Sequence, residues 1–394
     1  MNTATLPIPV LPNEWLGMIG GGQLGRMFCH AAQDMGYRVA VLDPDPQSPA
    51  GSVADLHICA AYDDADGLDR LGAQCQAISI EFENVPAASL ERLGRQRRVM
   101  PAASAVSIVQ DRISEKAFIH QAGVPVVPYA AIQSVADLES APDHLFPGIL
   151  KAARLGYDGK GQARISTRAE ALAAFAEFDG VPCVLEALVP LQDEISVVLA
   201  RGIDGEVRCY VPSHNEHRDG ILAVSTAALQ NDAQPLYEQA QTAATALAVA
   251  LDYYGVLCVE FFVLESGELL ANEIAPRPHN SGHFTMNACY TSQFEQQVRT
   301  MAALPLGAPF AHSASLMLNL LGDIWFDEQG EYREPKWSEI LKHSGVSVHL
   351  YGKNQARPGR KMGHITLLDH CPHNLQHKAK QVADLLGIEY EPLS

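Results

Sequence analysis

The sequence predicts an α/β fold at its N-terminal end that passes into an α+β region. Three patterns carry this. Short apolar runs alternate with helical spacing over the first hundred residues. A strand-dominated stretch follows from 146 to about 208. Two late strands flank a tight turn. Residues 15–19 read as the first strand, and 23–35 as a helix with Leu24, Met27, Phe28 and Ala31 on one face. Strands at 38–42 and 77–80 and a short helix at 86–93 continue the alternation, so 1–110 is expected to be a parallel-sheet domain. Helical sequence spans 104–122, with Asp111, Arg112, Glu115 and Lys116 on it, and Pro125 and Pro128 end it. Strands at 146–152, 181–186 and 194–200 with a helix at 168–178 suggest a linker helix and a small lobe over 111–205. The third unit, 206–394, opens on a strand at 206–212 and holds an Ala-rich helix at 232–251. Strands at 256–264 and 268–274, short strands at 346–351 and 363–367, and a last helix near 375–386 complete it.

Composition excludes several function classes. The 394 residues suit two or three domains, and 47% hydrophobic with 19% charged residues is an ordinary globular mix. The formal charge of −18 argues against a protein that coats nucleic-acid phosphates, though a few converging cations could still hold a small anion. No apolar run approaches the ~18 residues needed to span a bilayer. The first 15 residues lack a basic stretch and contain Pro7, Pro9 and Pro12, so they do not read as a signal peptide. Eight cysteines are scattered singly with no Cys-x-x-Cys pair, which suggests small buried residues in a reducing cytoplasm.

Several segments carry candidate chemistry. Gly20-Gly21-Gly22-Gln23-Leu24-Gly25 lies between a strand and a helix, where glycines let the backbone approach an anion at the helix N-terminus. Asp43 ends the next strand, where a dinucleotide fold places its ribose-binding acid, so a nicotinamide-dependent oxidoreductase is one reading and a sugar-phosphate site another. Gly156-Tyr157-Asp158-Gly159-Lys160-Gly161-Gln162, preceded by Lys151, can form a hairpin cap whose N–H groups face phosphates. Glu265-Ser266-Gly267-Glu268 suggests a hairpin with its tip at Ser266-Gly267, in a register that sets Glu260 opposite Glu273. Cross-strand Cβ atoms lie roughly 4.5–5.5 Å apart. Two carboxylates that close, flanked by Val259, Phe261, Phe262 and Ile274, call for a proton or a cation, and hard oxygen ligands favour Mg²⁺. A solvated carboxylate pair is the plain alternative. Asn272 can add an oxygen.

The loop Arg277-Pro278-His279-Asn280-Ser281-Gly282-His283 follows at once; Pro276 and Pro278 bar a helix, which argues against zinc on His279 and His283. His214 and His217 lie on a polar segment read as a loop, 213–220. Lys353, Arg357, Arg360 and Lys361 form a basic loop that could complete an anion site.

Together these segments resemble the ATP-grasp superfamily of ligases. The strings at 20–27, 156–162, 272–283, 292–296 and 360–365 look like those of the 5-(carboxyamino)imidazole ribonucleotide synthases, a match running from about residue 15 to about 367. The resemblance implies a Rossmann-like N-terminal domain of the biotin-carboxylase type, a small B lobe and a C-terminal ATP-grasp domain, with ATP between the last two. It implies ATP-dependent carboxylation of 5-aminoimidazole ribonucleotide by bicarbonate through carboxyphosphate. Arg112, Lys151 and the 156–162 cap would contact ATP phosphates. Glu186, Ala187, Leu188 and Val189 would line the adenine pocket, Glu194 would take the ribose, His217 would approach the nucleotide, and Asn272 would lie beside it. Glu260 and Glu273 would hold one or two Mg²⁺ ions. Arg277, His279 and Asn280 would hold bicarbonate or carboxyphosphate. Gln23, Leu24, Lys353, Arg360 and Lys361 would hold the ribonucleotide and Glu81 its ribose. Tyr157 and Asp158 would face the aminoimidazole, with Asp158 a candidate to accept the amine proton. The family implies a cytoplasmic homodimer without nucleic-acid or membrane partners. Another ATP-grasp ligase, such as glycinamide ribonucleotide transformylase or biotin carboxylase, is the nearest alternative.

Overall fold

The structure is a computed structural model that describes residues 8–154, 161–229 and 235–392. The cap residues Gly156, Tyr157, Asp158, Gly159 and Lys160 lie outside the described residues.

Three sheets organise the described residues. The first is wholly parallel, in the spatial order Leu56–Ile58, Arg38–Leu42, Trp15–Ile19, Ala77–Ile80, Arg98–Val99. Its strands are apolar on both faces because helices cover both, among them Gln23–Asp34 and Ala65–Gln74. The second sheet is antiparallel, in the order Tyr129–Ile132, Cys183–Ala187, Gly148–Ala152, Gln162–Ile165. The third has nine strands. Its main path runs Leu269–Ala275, Gly255–Leu264, Leu191–Arg201, Ser213–Arg218, Ile221–Ala227, Ala314–Leu321, Lys361–Asp369, Val346–Leu350, and Val207–Cys209 pairs with Leu191–Arg201. The helices Pro235–Ala250 and Pro372–Leu386 bury apolar faces against this sheet.

Four expectations are corrected. Helix 104–122 is two helices, Ala103–Val109 and Arg112–Gln121. The break is capped: Asp111 Oδ1 accepts from the N–H groups of Ile113 (3.1 Å) and Ser114 (3.2 Å). The polar segment 213–220 is mainly strand, Ser213–Arg218, paired on both sides, so His214 and His217 stand on a sheet rather than a loop. The strand Leu191–Arg201 belongs to the nine-stranded sheet, so the chain leaves the small sheet near Pro190 and not near 205. Cys59 and Cys371 are exposed, not buried.

The late hairpin is the instructive case. Its loop is Glu265-Ser266-Gly267, one residue longer than expected, with Gly267 at φ 82° and Leu264 N bonded to Glu268 O. Near the tip Phe262 therefore faces Leu270 and Phe261 faces Ala271, one step off the expected register. A bulge at Asn272 then shifts it back, and Glu260 pairs with Glu273 after all. The expected pair is present, by two offsets that cancel.

Candidate active site

The helix Arg112–Gln121 clamps the bulged strand. Arg112 Nη1 bonds Glu273 Oε2 at 3.0 Å, Glu115 Oε1 accepts from Ile274 N–H at 2.6 Å, and Lys116 Nζ donates to the carbonyl of Asn272 at 3.0 Å. The bulge takes Asn272 out of the ladder, and the buried lysine supplies the partner its carbonyl would otherwise lack. Glu115 and Lys116 sit side by side on the helix. Their structural role was not legible, because charged residues near a helix start are ordinarily solvated.

The Glu260–Glu273 pair is electrostatically short of positive charge. Burial, and then the neighbouring Glu273, push the Glu260 carboxyl up to about 7. Glu273 goes the other way: burial raises it, but Arg112 outweighs burial and holds it below its usual range. One carboxylate is thus neutralised by an arginine and the other tends toward a proton, which is the donor set a divalent cation fits. Among the described residues no cluster of three or more His, Cys, Asp and Glu side chains surrounds one point, so phosphate and water oxygens would have to complete the coordination of such an ion.

Glu194 and His217, both expected near the nucleotide, come together, Oε2 to Nδ1 at 3.0 Å. Lys151 and Glu186 also meet, at 2.7 Å, and Lys116 binds the second oxygen of Glu186 at 3.0 Å. The Glu186 carboxylate, expected at the adenine pocket, is therefore committed to two lysines. What the 186–189 segment can offer an adenine ring is its backbone and the side chains of Ala187, Leu188 and Val189. Asp193 and Tyr237 bracket His214 through its two ring nitrogens, a contact between sheet and helix with no signal in residue spacing.

Arg277 is where the sheets converge. Its Nε donates to Glu83 Oε2 at 2.7 Å across 194 residues of sequence. Burial raises the Glu83 carboxyl, but Arg277 outweighs it and holds the group below its usual value. Glu83 was not among the expected site residues. His279 is held from several sides. Gln293 accepts from its N–H at 2.9 Å and donates to its C=O at 2.8 Å. That close approach needs Gly282, where an added Cβ would lie 2.5 Å from the Gln293 amide oxygen. The His279 ring reaches Glu260 through Nε2 at 3.3 Å. Both ends of the neighbouring Asn280 amide are buried and have no partner among the described residues, an orphaned donor and acceptor beside Arg277 and His279.

The first glycine loop is a correction. Its N–H groups are taken by the protein's own carboxylates. Gly21 N–H donates to Asp43 (2.6 Å), Gly22 N–H to Glu81, and Leu24 N–H to Glu81 (3.1 Å). The fit is too close for a side chain at Gly22, whose Cβ would lie 2.2 Å from Glu81. The helix start does attract an anion, but here the anion is intramolecular. Asp43 is further occupied by Tyr62 at 2.7 Å, so it is not presented to a dinucleotide ribose. Gln23 stays half-buried at the loop. The basic loop comes back to this domain: Asn354 bonds Gln47 at 3.1 Å, Lys353 Nζ bonds Lys361 O at 2.6 Å and lies 5.6 Å from the Tyr351 ring centroid, and Arg360 bonds Gln355 O at 2.9 Å.

Glu81 yields a pH prediction. Burial lifts its carboxyl from 4.5 to about 7 despite the N–H donors, and Asp43 adds to the rise. Between these values the folded chain keeps a proton that the unfolded chain has lost. Stability therefore falls as pH rises through that window, by about 3 kcal/mol. Glu81→Gln removes the titration, so its unfolding midpoint relative to wild type should climb between about pH 5 and about pH 8. A difference that stays flat with pH would show that Glu81 keeps an ordinary carboxyl.

Comparison with known proteins agrees with this arrangement. Residues 14–110 match the ribonucleotide synthetase preATP-grasp domain, 117–294 the ATP-grasp domain, and 315–378 the phosphoribosylaminoimidazole carboxylase C-terminal domain. The N5-carboxyaminoimidazole ribonucleotide synthase of Brucella melitensis is 46% identical over 358 residues, which cover 90% of this chain and 96% of that one. The N5-carboxyaminoimidazole ribonucleotide synthetase structure from Thermus thermophilus aligns with a TM-score of 0.87 at 37% identity, covering 96% of this chain and 100% of that chain. The Aspergillus clavatus N5-carboxyaminoimidazole synthase in complex with ADP and 5-aminoimidazole ribonucleotide aligns with a TM-score of 0.84 at 28% identity, covering 95% and 99%. With an ATP-grasp domain between these two flanking domains and a relative 46% identical over nearly its whole length, the chain belongs to the N5-carboxyaminoimidazole ribonucleotide synthases.

Proposed function

We propose that this chain uses ATP to carboxylate the exocyclic amine of 5-aminoimidazole ribonucleotide with bicarbonate, a step of purine nucleotide synthesis. The observation that carries the reading is the buried group Arg277, His279 and orphaned Asn280. It directly follows the strand that supplies Glu273 and is tied through Glu83 to the N-terminal sheet. Such a group can hold a small planar anion between a nucleotide site and a second substrate.

The chemistry follows from that placement. A bicarbonate oxygen attacks the γ-phosphorus, the bond to ADP breaks, and carboxyphosphate forms. The amine nitrogen then attacks the carboxyl carbon, phosphate leaves with the bonding electrons, and the amine loses a proton. Phosphoryl transfer of this kind is mostly positioning and charge neutralisation. Arg112 and Lys151 serve the ATP phosphates, Glu194 and His217 the ribose end, and the 186–189 segment the adenine. Glu260 and Glu273 would hold Mg²⁺, one ion or two, which when bound neutralises phosphate charge. Arg277 forks onto bicarbonate, with His279 and Asn280 donating to its oxygens. With the Leu24 N–H and the loop glycines already bonded to carboxylates, the side chains of Gln23, Lys353, Arg360 and Lys361 serve the ribonucleotide, Glu81 accepts from its ribose on a remaining lone pair, and Tyr157 and Asp158 face its imidazole, with Asp158 taking the amine proton.

We treat the three sheets as three units, with ATP between the second and third, in a cytoplasmic homodimer. No helix among the described residues is long and apolar enough to cross a membrane. A coupled ADP-release assay tests the function. ADP release should be stimulated by 5-aminoimidazole ribonucleotide and not by glycinamide ribonucleotide or biotin; stimulation by either of the latter would reassign the substrate.

A further inference from the structure

The middle of the nine-stranded sheet holds a polar cluster that the reaction above does not use. Ser196, Ser213, Asn215 and Ser225 come from three adjacent strands, Ser281 comes from the turn after His279, and all five are buried. Burying five polar side chains is costly unless each proton finds an acceptor. Counting those protons gives the cluster a direction.

Asn215 Oδ1 accepts from Ser225 Oγ at 2.9 Å and Ser213 Oγ at 3.3 Å. Its amide nitrogen therefore faces the other way and donates to Ser196 Oγ at 2.9 Å. Ser196 Oγ in turn donates to Ser281 Oγ at 2.6 Å. At the far end the backbone N–H of Ser281 points at His279 Nδ1, 3.4 Å away. An N–H group can only donate, so this contact, long as it is, favours an unprotonated Nδ1. Ser281 Oγ, 2.8 Å from the same nitrogen, must then donate to it as well. In the neutral ring the proton is left on Nε2, the nitrogen that faces the reaction site beside Glu260.

We propose that Asn215, Ser196 and Ser281 are positioning residues: their one-way relay of donors holds His279 in the Nε2–H tautomer, so that it meets the oxygens of bicarbonate or carboxyphosphate as a hydrogen-bond donor. The inference rests on the role given to His279 above. In the opposite tautomer a lone pair would face those anionic oxygens and repel them. Gln293 sets the backbone position of His279, and the relay sets which ring nitrogen is protonated. Each removes a freedom that would otherwise have to be lost in the transition state.

The test reads the tautomer directly. Long-range ¹H–¹⁵N correlation on protein labelled with ¹⁵N-histidine, with the His279 signal identified by its loss in His279→Gln, should show a protonated Nε2 and an unprotonated Nδ1 in the wild-type protein. Ser281→Ala leaves only the long 3.4 Å backbone contact on Nδ1, and Ser196→Ala frees the Ser281 hydroxyl to accept instead of donate, so each should give a mixture of tautomers. They should lower kcat for ribonucleotide-stimulated ADP release roughly tenfold or more. KM for ATP should change by less than about twofold, and Ser196→Thr, which restores the hydroxyl, should recover both readouts. A wild-type ring protonated on Nδ1 overturns the relay whether or not the variants fold. So do alanine variants that keep both the Nε2–H tautomer and the wild-type kcat. If the tautomer is as stated but the ribonucleotide does not stimulate ADP release, the relay stands and the functional reading falls.

Discussion

Glu273→Gln should lower ATP turnover by at least about 100-fold while leaving 5-aminoimidazole ribonucleotide affinity within about threefold. The substitution keeps the size of the side chain and an oxygen for Arg112, now 3.0 Å away, but removes the charge. Glu273 is the member of the carboxylate pair that Arg112 holds below its usual range, so in the proposed site it would be the anionic ligand for a cation under the triphosphate. Glu260, pushed up to about 7, cannot replace it without losing a proton. Glu83 holds Arg277 from the side of the N-terminal sheet, so loss of the Glu273 charge leaves that anchor in place. Single-turnover ADP release reads the first quantity and calorimetric titration with the ribonucleotide reads the second. Equal losses in both would remove the carboxylate pair from the ATP chemistry.

Glu186→Gln should cost about 3–5 kcal/mol of stability. Glu186 and Lys116 are almost wholly buried, with side-chain exposures of 3% and 1%, and Lys151 is 11% exposed. Replacing the carboxylate by an amide leaves two buried ammonium groups a single neutral oxygen between them, with the Asn272 carbonyl the other acceptor of Lys116 among the described residues. The pH dependence has a definite sign. Burial raises the Glu186 carboxyl, but Lys116 and Lys151 outweigh it and bring it from 4.5 down to about 2. A folded value below the unfolded one means that the stabilisation is complete above about pH 4.5 and is lost as pH falls toward 2. Urea unfolding should therefore show a wide gap between wild type and variant near neutral pH that narrows in acid. A gap under about 1 kcal/mol at neutral pH would mean that the lysines find other partners.

Much of the local architecture could be read from residue order. The strand Trp15–Ile19, the following glycines and the helix Gln23–Asp34 were legible because a short unbroken apolar run, a turn and a period near 3.6 each have a backbone cause. The prolines around Arg277 likewise barred a helix without help from distant residues. The hairpin shows the limit of such reading. Glu260 does face Glu273, but the loop is longer than its four-residue signal suggested, and the bulge that compensates is stabilised by Lys116 from a helix 156 positions away.

The sequence by itself determined much of the local conformation: the alternating strands and helices of the first hundred residues, the strands either side of the late turn, and the stiff turn that carries Arg277, His279 and Asn280, though not that 213–218 is strand. Tertiary structure decided what each polar group meets. Glu81 fills the glycine loop that spacing assigned to a phosphate, Glu186 joins two lysines, and a line of three buried hydrogen-bonding side chains ends on one nitrogen of His279. The physical reason is range. Backbone stereochemistry and hydrophobic period act over a few residues and leave a pattern in the letters, whereas the partner of a buried charge is chosen by sheet order and by the penalty for leaving that charge alone.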